Sequence, residues 1–357
     1  MLGATYFKSG LFLNEANTGL CWVAAAVAFY LFGGFSAAFK STLVGLSCAL
    51  AARLIWKRRC AVSPNAAVLI TGTSTGLGAS TALRLAAEGF TVFATTIKPA
   101  NFETLLASAP SASKKRLVSI TLDVTDQESI KNAEKIVSST IAARGLFLQS
   151  IVNNAGISHS CVMELCEAAD YDRQFTTNVR GPIFVTQAFL PLLRAARSKS
   201  NVRPSVINIS SMIGKFSPPV MGLYCASKYA VEAISDSLRV EVASQGISVV
   251  IVEPGATESN FVTTAVSAFV PEAKVAQRLK AEEPVAKEYS RMIAGTRKAL
   301  ESSKSYPASY VAETVLEAMT VRSPAARYRA TPDAHILVAL RNVLPDAAMD
   351  FLMNQTV

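Results

Sequence analysis

The stretch AAVLITGTSTGLGASTALRLAAEGF, residues 66–90, decides the fold. It opens on a short, branched apolar run, Ala67–Thr71, of the kind that forms a buried strand. From Gly78 to Glu88 the apolar positions recur at helical spacing. Between the two lies Thr71-Gly72-Thr73-Ser74-Thr75-Gly76-Leu77-Gly78, a turn spaced GxxxGxG rather than the commoner GxGxxG. Glycines let backbone N–H groups approach a pyrophosphate, and the start of the following helix favours its charge. Such turns also occur for the sake of the turn alone, so it is the strand before and the helix after that point to a dinucleotide. Gly72, Thr73, Ser74, Gly76, Leu77 and Gly78 are the candidate lining.

The same alternation continues outward. Further apolar runs lie at Thr91–Thr95, Leu117–Leu122, Ser150–Asn153, Ser205–Ser210 and Ser248–Val252. Longer stretches of helical period, among them Asp126–Ala143 and Tyr224–Gln245, separate them. Short apolar strands alternating with amphipathic helices specify an α/β fold, a parallel sheet covered on both faces. One domain over residues 65–357 is expected, with a less regular segment at about 258–305.

The N-terminal 60 residues differ in kind. Leu20 to Phe39 contains no charge, and twenty helical residues span about 30 Å, the thickness of a bilayer's hydrocarbon core. A second apolar stretch at 43–56 ends on Trp56 and the cluster Lys57-Arg58-Arg59. The expectation is a membrane anchor, either one span with an interfacial helix or a hairpin of two, with the basic cluster on the cytosolic side. A signal h-region is shorter, and a transit peptide is richer in Ser and Arg.

This segment also accounts for the composition. The chain of 357 residues has a net charge of +9 and a mean hydropathy of +0.31. More than half of that charge comes from Lys8, Lys40, Arg53, Lys57, Arg58 and Arg59, set against Glu15 alone. The remainder is ordinary, with no basic stripe interleaved with aromatics, so nucleic acid is not an expected partner. Six Cys form no CxxC pair and no His stands at ligand spacing, so no metal site is expected and a reducing compartment fits. His159 and His335 receive no role.

The motifs resemble those of the short-chain dehydrogenase/reductase family, in family order and across essentially all of the chain after residue 66. They are TGxxxGxG at 71–78, Leu122-Asp123-Val124, Asn153-Asn154-Ala155-Gly156, Asn178, Ser211, Tyr224-x-x-x-Lys228 and Pro254-Gly255. The stretches LVSITLDVTDQESI, IVNNAGIS and YCASKYAVEAISDSLRVEV are most similar to the retinol and 17β-hydroxysteroid dehydrogenase branch. The resemblance implies a Rossmann-type, doubly wound sheet and an NAD(P)-dependent oxidoreductase. Members of that branch commonly carry hydrophobic N-terminal anchors.

The chemistry follows from residue types. Tyr224 and Lys228 lie four apart on a predicted helix and share a face. A phenol is a poor base at neutral pH, and a neighbouring ammonium favours its phenolate. Tyr224 can then exchange a proton with the oxygen of an alcohol or ketone. Ser211, at the end of a strand, would hold that oxygen; Ser210 is its competitor, but the thirteen-residue separation from Tyr224 matches the family for Ser211. The resemblance implies that Asn178 anchors a water linking Lys228 to solvent, and that Lys228 also binds the nicotinamide ribose beside Tyr224. It further places Asp123 at the adenine, Asn153 and Ala155 under the adenosine ribose, and Pro254, Gly255 and Ser259 at the nicotinamide.

The second strand bears on the cofactor. It ends Phe93-Ala94-Thr95-Thr96-Ile97-Lys98-Pro99, without the acid that would bind a ribose 2′-hydroxyl and repel a 2′-phosphate. NADP is therefore preferred over NAD, with Lys98 pairing with the phosphate or simply solvated, and Thr73 or Ser74 as hydrogen-bonding partners. Met212, Ile213, Phe216, Pro218, Val220, Met221 and Leu223 make an apolar wall near Tyr224, which suits a steroid, retinoid or acyl lipid or else is ordinary core. Residues 258–305 are expected to cover the substrate. The expected function is a membrane-anchored oxidoreductase acting on a lipophilic alcohol or ketone, against a non-catalytic NAD(P)-binding membrane scaffold or an adaptor. The endoplasmic reticulum membrane, with the domain facing the cytosol, is the expected location, a mitochondrial membrane the alternative. By resemblance, a homodimer would form through helices near 168–195 and 224–245.

Overall fold

Alternate residues of the first strand turn to opposite faces of the sheet, and both faces are covered. In the computed structural model, which describes residues 59–199, 203–258 and 269–354, β1 (Ala66–Ile70) is buried throughout. Val68 and Ile70 join one apolar cluster with Leu85, Phe90 and Leu316, while Ala67 and Leu69 join another with Ile151, Val185 and Phe189. A strand buried on both sides reads as a continuous apolar run, as a sheet between two helical layers requires.

The strands β2 (Thr91–Thr96), β3 (Leu117–Thr121), β4 (Phe147–Asn153), β5 (Ser205–Ile209), β6 (Ser248–Glu253) and β7 (Arg327–Arg329) complete the sheet. Its order is β3-β2-β1-β4-β5-β6-β7 and every pairing is parallel. The order reverses between β1 and β4, which leaves a crevice at their carboxyl ends. The expected doubly wound sheet is therefore present. Strand β4 begins three residues before the expected Ser150, two residues after the left-handed Gly145 that ends the preceding helix. Strand β7 was not expected, because Arg-Tyr-Arg carries no apolar run.

The helices among the described residues are α1 (Gly76–Glu88), α2 (Pro99–Ser108), α3 (Ser111–Lys114), α4 (Gln127–Arg144), α5 (Ala168–Phe175), α6 (Gly181–Ala196), α7 (Gly222–Glu241), α8 (Glu272–Arg278), α9 (Glu283–Ser302), α10 (Ser309–Thr320), α11 (Pro332–Val343) and α12 (Asp346–Asn354). Asp126 caps α4 by accepting from the N–H groups of Glu128 and Ser129. One π-helical turn, Thr176–Arg180, joins α5 to α6 and carries Asn178. Such turns are frequent at functional sites.

The larger of two compact units holds Ala61–Thr320 and Pro324–Val357, and so every element named above. Of the smaller unit, Met1–Cys60 with Val321–Ser323, few residues are described; in it Arg59 and Val321 form an antiparallel bridge. The anchor expected at 20–39 and 43–56 lies outside the described residues. Among those described, no helix is long and apolar enough to cross a membrane.

Candidate active site

The glycine turn and the Asn153-Asn154-Ala155-Gly156 segment form one interlocked unit at the crevice. Gly72 has a φ of +69°, and a Cβ there would lie 2.9 Å from the Cα of Ala155. Gly78 is tighter: a Cβ would lie 2.2 Å from the Gly72 carbonyl oxygen and 2.5 Å from Asn154 Nδ2. The Thr71 hydroxyl accepts from the N–H groups of Asn154 and Ala155, both at 2.9 Å. The Asn154 amide donates back to the carbonyls of Thr71 at 2.9 Å and Gly72 at 3.0 Å. At the start of α1, Thr75 makes no side-chain cap and the first turn holds no acid. The first N–H groups of that helix are therefore left for an anion, as a pyrophosphate cradle requires.

Within the turn, Thr73 faces inward. Its buried hydroxyl donates to the Thr95 carbonyl at 3.0 Å and ties the loop to β2. Ser74 accepts from Asn101 Nδ2 at 3.2 Å. Lys98 and Ile97 are both exposed beyond the end of β2, free of any carboxylate on that stretch of chain.

Asp123 is half-buried, and its Oδ1 accepts from the N–H and hydroxyl of Thr125 at 2.9 and 2.7 Å. Asn153 points into the protein, donating to Thr186 Oγ1 at 3.0 Å and Asn208 Oδ1 at 2.8 Å. The side chain of Asn153 thus braces β4 against β5 and α6, while its neighbour Asn154 supports the loop.

Tyr224 and Lys228 occupy the buried face of α7, as their spacing requires. Lys228 Nζ donates to the Ile209 carbonyl at 2.8 Å and lies 5.6 Å from the centre of the Tyr224 ring. Burial holds Lys228 down to about 8, against an opposing pull from Glu232. Burial also pushes the Tyr224 phenol well above its ordinary value; charge at Cys225 adds to this and a hydrogen bond with Ser211 works against it. Ser211 starts the short helical turn Met212–Gly214, its hydroxyl accepting from the Ile213 N–H at 3.4 Å. Ser210 is buried, with a hydroxyl that has no hydrogen-bond partner.

Asn178 is held rather than free. Its amide donates to the Ile157 carbonyl at 2.9 Å and the Ser227 hydroxyl at 3.0 Å, and its oxygen accepts from the Ile157 N–H at 2.8 Å. Ser227 in turn donates to the Tyr224 carbonyl at 2.7 Å. Gln174, fully buried, also donates to the Ile157 carbonyl, at 2.8 Å. Asn178, Gln174 and Ser227 therefore lock the loop after β4 to the helix that carries the tyrosine.

The Pro254-Gly255 turn meets the Ser211 turn directly, its Pro254 carbonyl accepting from the Met212 N–H at 2.8 Å. Asp333, at the start of α11, accepts from the Ala256 N–H at 2.8 Å, and a Cβ on Gly255 would lie 2.3 Å from it. Thr331 accepts from the Gly255 N–H at 2.9 Å. Asn154, Gln174, Ser227 and Asp333 escape a sequence reading. Asn154 had a signal, its place inside the asparagine motif, whereas Asp333 is 78 residues from Gly255 with none.

The apolar residues expected near Tyr224 divide: Ile213, Phe216 and Met221 are buried core beside it, and Val220 joins another cluster. Ile213, Phe216 and Met221 pack with Tyr224, Cys225 and Met349, and Leu337 and Met353 border the same cluster. The C-terminal helices α11 and α12 thus adjoin the tyrosine. An open pocket beside Met353 is lined by Ser217, Pro219, Ala347, Asp350, Phe351 and Asn354. Helices α8 and α9, within the 258–305 segment, pack mainly with Cys161, Val162, Leu165 and Val220, and Leu300 of α9 also borders the tyrosine cluster. Ser259, expected at the nicotinamide, lies outside the described residues, as do Phe261, Val262 and Val266.

Comparison with known proteins agrees with this geometry. The model of the short chain dehydrogenase family matches residues 66–268. Retinol dehydrogenase 5 of Homo sapiens is 35% identical over 308 residues, covering 84% of this chain and 91% of that protein. The mitochondrial D-beta-hydroxybutyrate dehydrogenase of Rattus norvegicus is 34% identical over 73% of this chain and 76% of its own length. Among solved structures, a short-chain dehydrogenase from Streptomyces avermitilis aligns with a TM-score of 0.62 and 27% identity, over 82% of this chain and 96% of the other.

Proposed function

The chain belongs to the short chain dehydrogenase family and is an NAD(P)-dependent oxidoreductase acting on CH–OH groups; on that premise we propose that its substrate is a lipophilic alcohol or ketone and that Tyr224 is the acid–base. The observation that carries the reading is Tyr224 at the junction of two surroundings. On one side stand Lys228 and Ser211; on the other, the apolar cluster of Ile213, Phe216, Met221 and Met349. Those four side chains are themselves buried, so a lipophilic ligand would meet the partly buried border of the cluster, Met212, Leu337 and Met353, and bind there mainly by leaving water.

The cradle fits a dinucleotide, since the first turn of α1 has no side-chain cap and no acid and so leaves its N–H groups for an anion, while Gly72 and Gly78 keep the turn packed against Ala155 and Asn154. Gly72, Gly76, Leu77, Gly78 and Ser74 would hold its pyrophosphate, with Asp123 and Ala155 toward the adenosine and Pro254 and Gly255 toward the nicotinamide. The nicotinamide supplies or accepts the hydride. Ser211 orients the substrate oxygen, and the Tyr224 hydroxyl gives it a proton or takes one away. Lys228, with a pKa of about 8, is mostly an ammonium at neutral pH, and its charge makes the phenolate accessible. Asn178 acts through Ile157 and Ser227, fixing the loop against α7.

NADP is the preferred cofactor in this reading, because exposed Lys98 stands past β2 where an acid would select NAD. The uncharged segment 20–39, the apolar stretch 43–56 and the cluster Lys57-Arg58-Arg59 support a membrane anchor. An anchor would set the domain at 65–357 beside lipid-partitioned substrates, at the endoplasmic reticulum membrane in this reading. The test is cofactor oxidation by the purified chain with NADPH and with NADH. Retinal, a 17-ketosteroid and acetoacetate serve as separate carbonyl substrates. Turnover of the first two but not of acetoacetate supports the reading, and turnover of acetoacetate alone contradicts it.

A further inference from the structure

Behind the tyrosine, α7 continues as a charged stripe that the reaction described above does not use. Tyr224, Lys228, Glu232 and Asp236 follow one another at intervals of four and so share a face of the helix. Glu232 is only 5% exposed. Its Oε2 lies 2.5 Å from Lys215 Nζ and 2.9 Å from Arg327 Nε, while its Oε1 is buried with no hydrogen-bond partner. Glu253, fully buried at the end of β6, approaches Lys215 and Arg327 at 3.6 Å and Arg329 at 3.7 Å without a hydrogen bond.

Three members of this cluster are tied through the chain to the three active motifs. Lys215 follows Ser211 by four residues, Glu232 follows Lys228 by four, and Glu253 immediately precedes Pro254. Gly214 makes the first link close, since a Cβ there would lie 3.4 Å from the Lys228 Cβ. The turn therefore packs against α7 beside Lys228 and delivers Lys215 to Glu232. Unpaired carboxylates are rarely buried, because desolvation costs more than a single partner returns. Here the buried carboxylate has two cationic partners, Lys215 and Arg327, and stands one helical turn from the ammonium that the proposed reaction needs.

We infer that Glu232 is a positioning residue: its buried carboxylate, held in place by Lys215 and Arg327, keeps Lys228 an ammonium against the cost of its burial. The groups that bear on Lys228 are Tyr224 and Glu232 on its own helix, with Asp236 a turn beyond Glu232. Lys215 comes from the turn after β5, Glu253 from β6, and Arg327 and Arg329 from β7. Among them Glu232 is the carboxylate on the same helical face and one turn away. Glu253 is set back among three cations, and burial followed by the nearby Glu232 charge raises its pKa. The opposing pulls on Lys228, burial downward and Glu232 upward, agree with this assignment. The consequence for turnover rests on the proposed acid–base role of Tyr224 and Lys228; the protonation of Lys228 does not.

The test reads that protonation directly. Full-length protein in detergent micelles, labelled at lysine 13Cε, is titrated by NMR, with the Lys228 resonance identified by its loss in Lys228→Arg. In Glu232→Gln the midpoint should fall by about one pH unit, the low end of what an opposite charge at this range supplies. An unmoved or raised midpoint overturns the inference. If Glu232→Gln alone does not fold, the comparison is made between Lys215→Met and Lys215→Met/Glu232→Gln, where no cation is stranded by loss of the carboxylate. The same fall is expected, and its absence is equally decisive. Because no substrate is involved, failure here leaves the proposed reaction standing, and failure of the reaction leaves this measurement valid.

Discussion

Asn154 Nδ2 donates to the carbonyl of Gly72 at 3.0 Å, joining the end of β4 to the glycine turn after β1. A second bond, to the Thr71 carbonyl at 2.9 Å, comes from the same amide nitrogen. Asn154→Ala strands both carbonyls. Stability should fall by about 1–3 kcal/mol, as for an unsatisfied buried acceptor. Nucleotide affinity should weaken about tenfold if 1.4 kcal/mol of that loss is felt in the cradle. Thermal unfolding and fluorescence titration with NADPH check the two effects.

Gly78→Ala should be far worse than its size suggests. The new methyl would lie 2.2 Å from a backbone oxygen, which cannot move aside as a side chain can. Gly145→Ala provides the contrast: its φ of +62° strains the helix end, but nothing lies within 4 Å. The first variant should lose nucleotide binding, while the second keeps it and loses about 1 kcal/mol of stability. Isothermal titration with NADPH separates them.

Ile97→Asp restores the acid that the second strand lacks. Ile97 is 62% exposed just past β2, so the substitution disturbs no packing. The carboxylate should repel a 2′-phosphate and accept from a 2′-hydroxyl, moving the NADPH-to-NADH ratio of kcat/KM toward NADH by about tenfold or more. An unchanged ratio would show that specificity is set elsewhere.

Lys228 leaves a signature in stability as well. Its folded pKa of about 8 is below the unfolded value of 10.5, so between these pH values the unfolded chain binds more protons and stability rises with pH. Below pH 8 the full cost of burying the ammonium is present. Lys228→Met should therefore raise stability at pH 7 by about 1–3 kcal/mol. It should also flatten the rise between pH 8 and 10. Denaturant unfolding at pH 7 and pH 10 measures both.

Much of this was legible in the chain. Six of the seven strands are apolar runs, because a sheet covered on both faces leaves no polar side to write an alternating pattern. β7 was not legible: Arg327 and Arg329 are there for Glu232, Asp236 and Glu253, contacts that no local pattern records. Tyr224, Lys228 and the glycines could be found because their spacing is dictated by one helix or one turn. Thr73 reads as a phosphate partner in the sequence, but its hydroxyl donates to the Thr95 carbonyl, a contact 22 residues away. Asp333 depends on α11 returning to Gly255, and a return of 78 residues is invisible to spacing.

The central claim is that Tyr224 moves the proton. Tyr224→Phe removes one oxygen from a ring that otherwise keeps its packing against Ile213, Phe216 and Met221. The measurement is single-turnover NADPH oxidation with retinal, or with whichever carbonyl of the panel the unaltered protein reduces, alongside NADPH affinity by fluorescence. The account predicts a rate lower by about 10²–10⁴-fold with nucleotide affinity unchanged. A rate within a few-fold of the unaltered protein would contradict it.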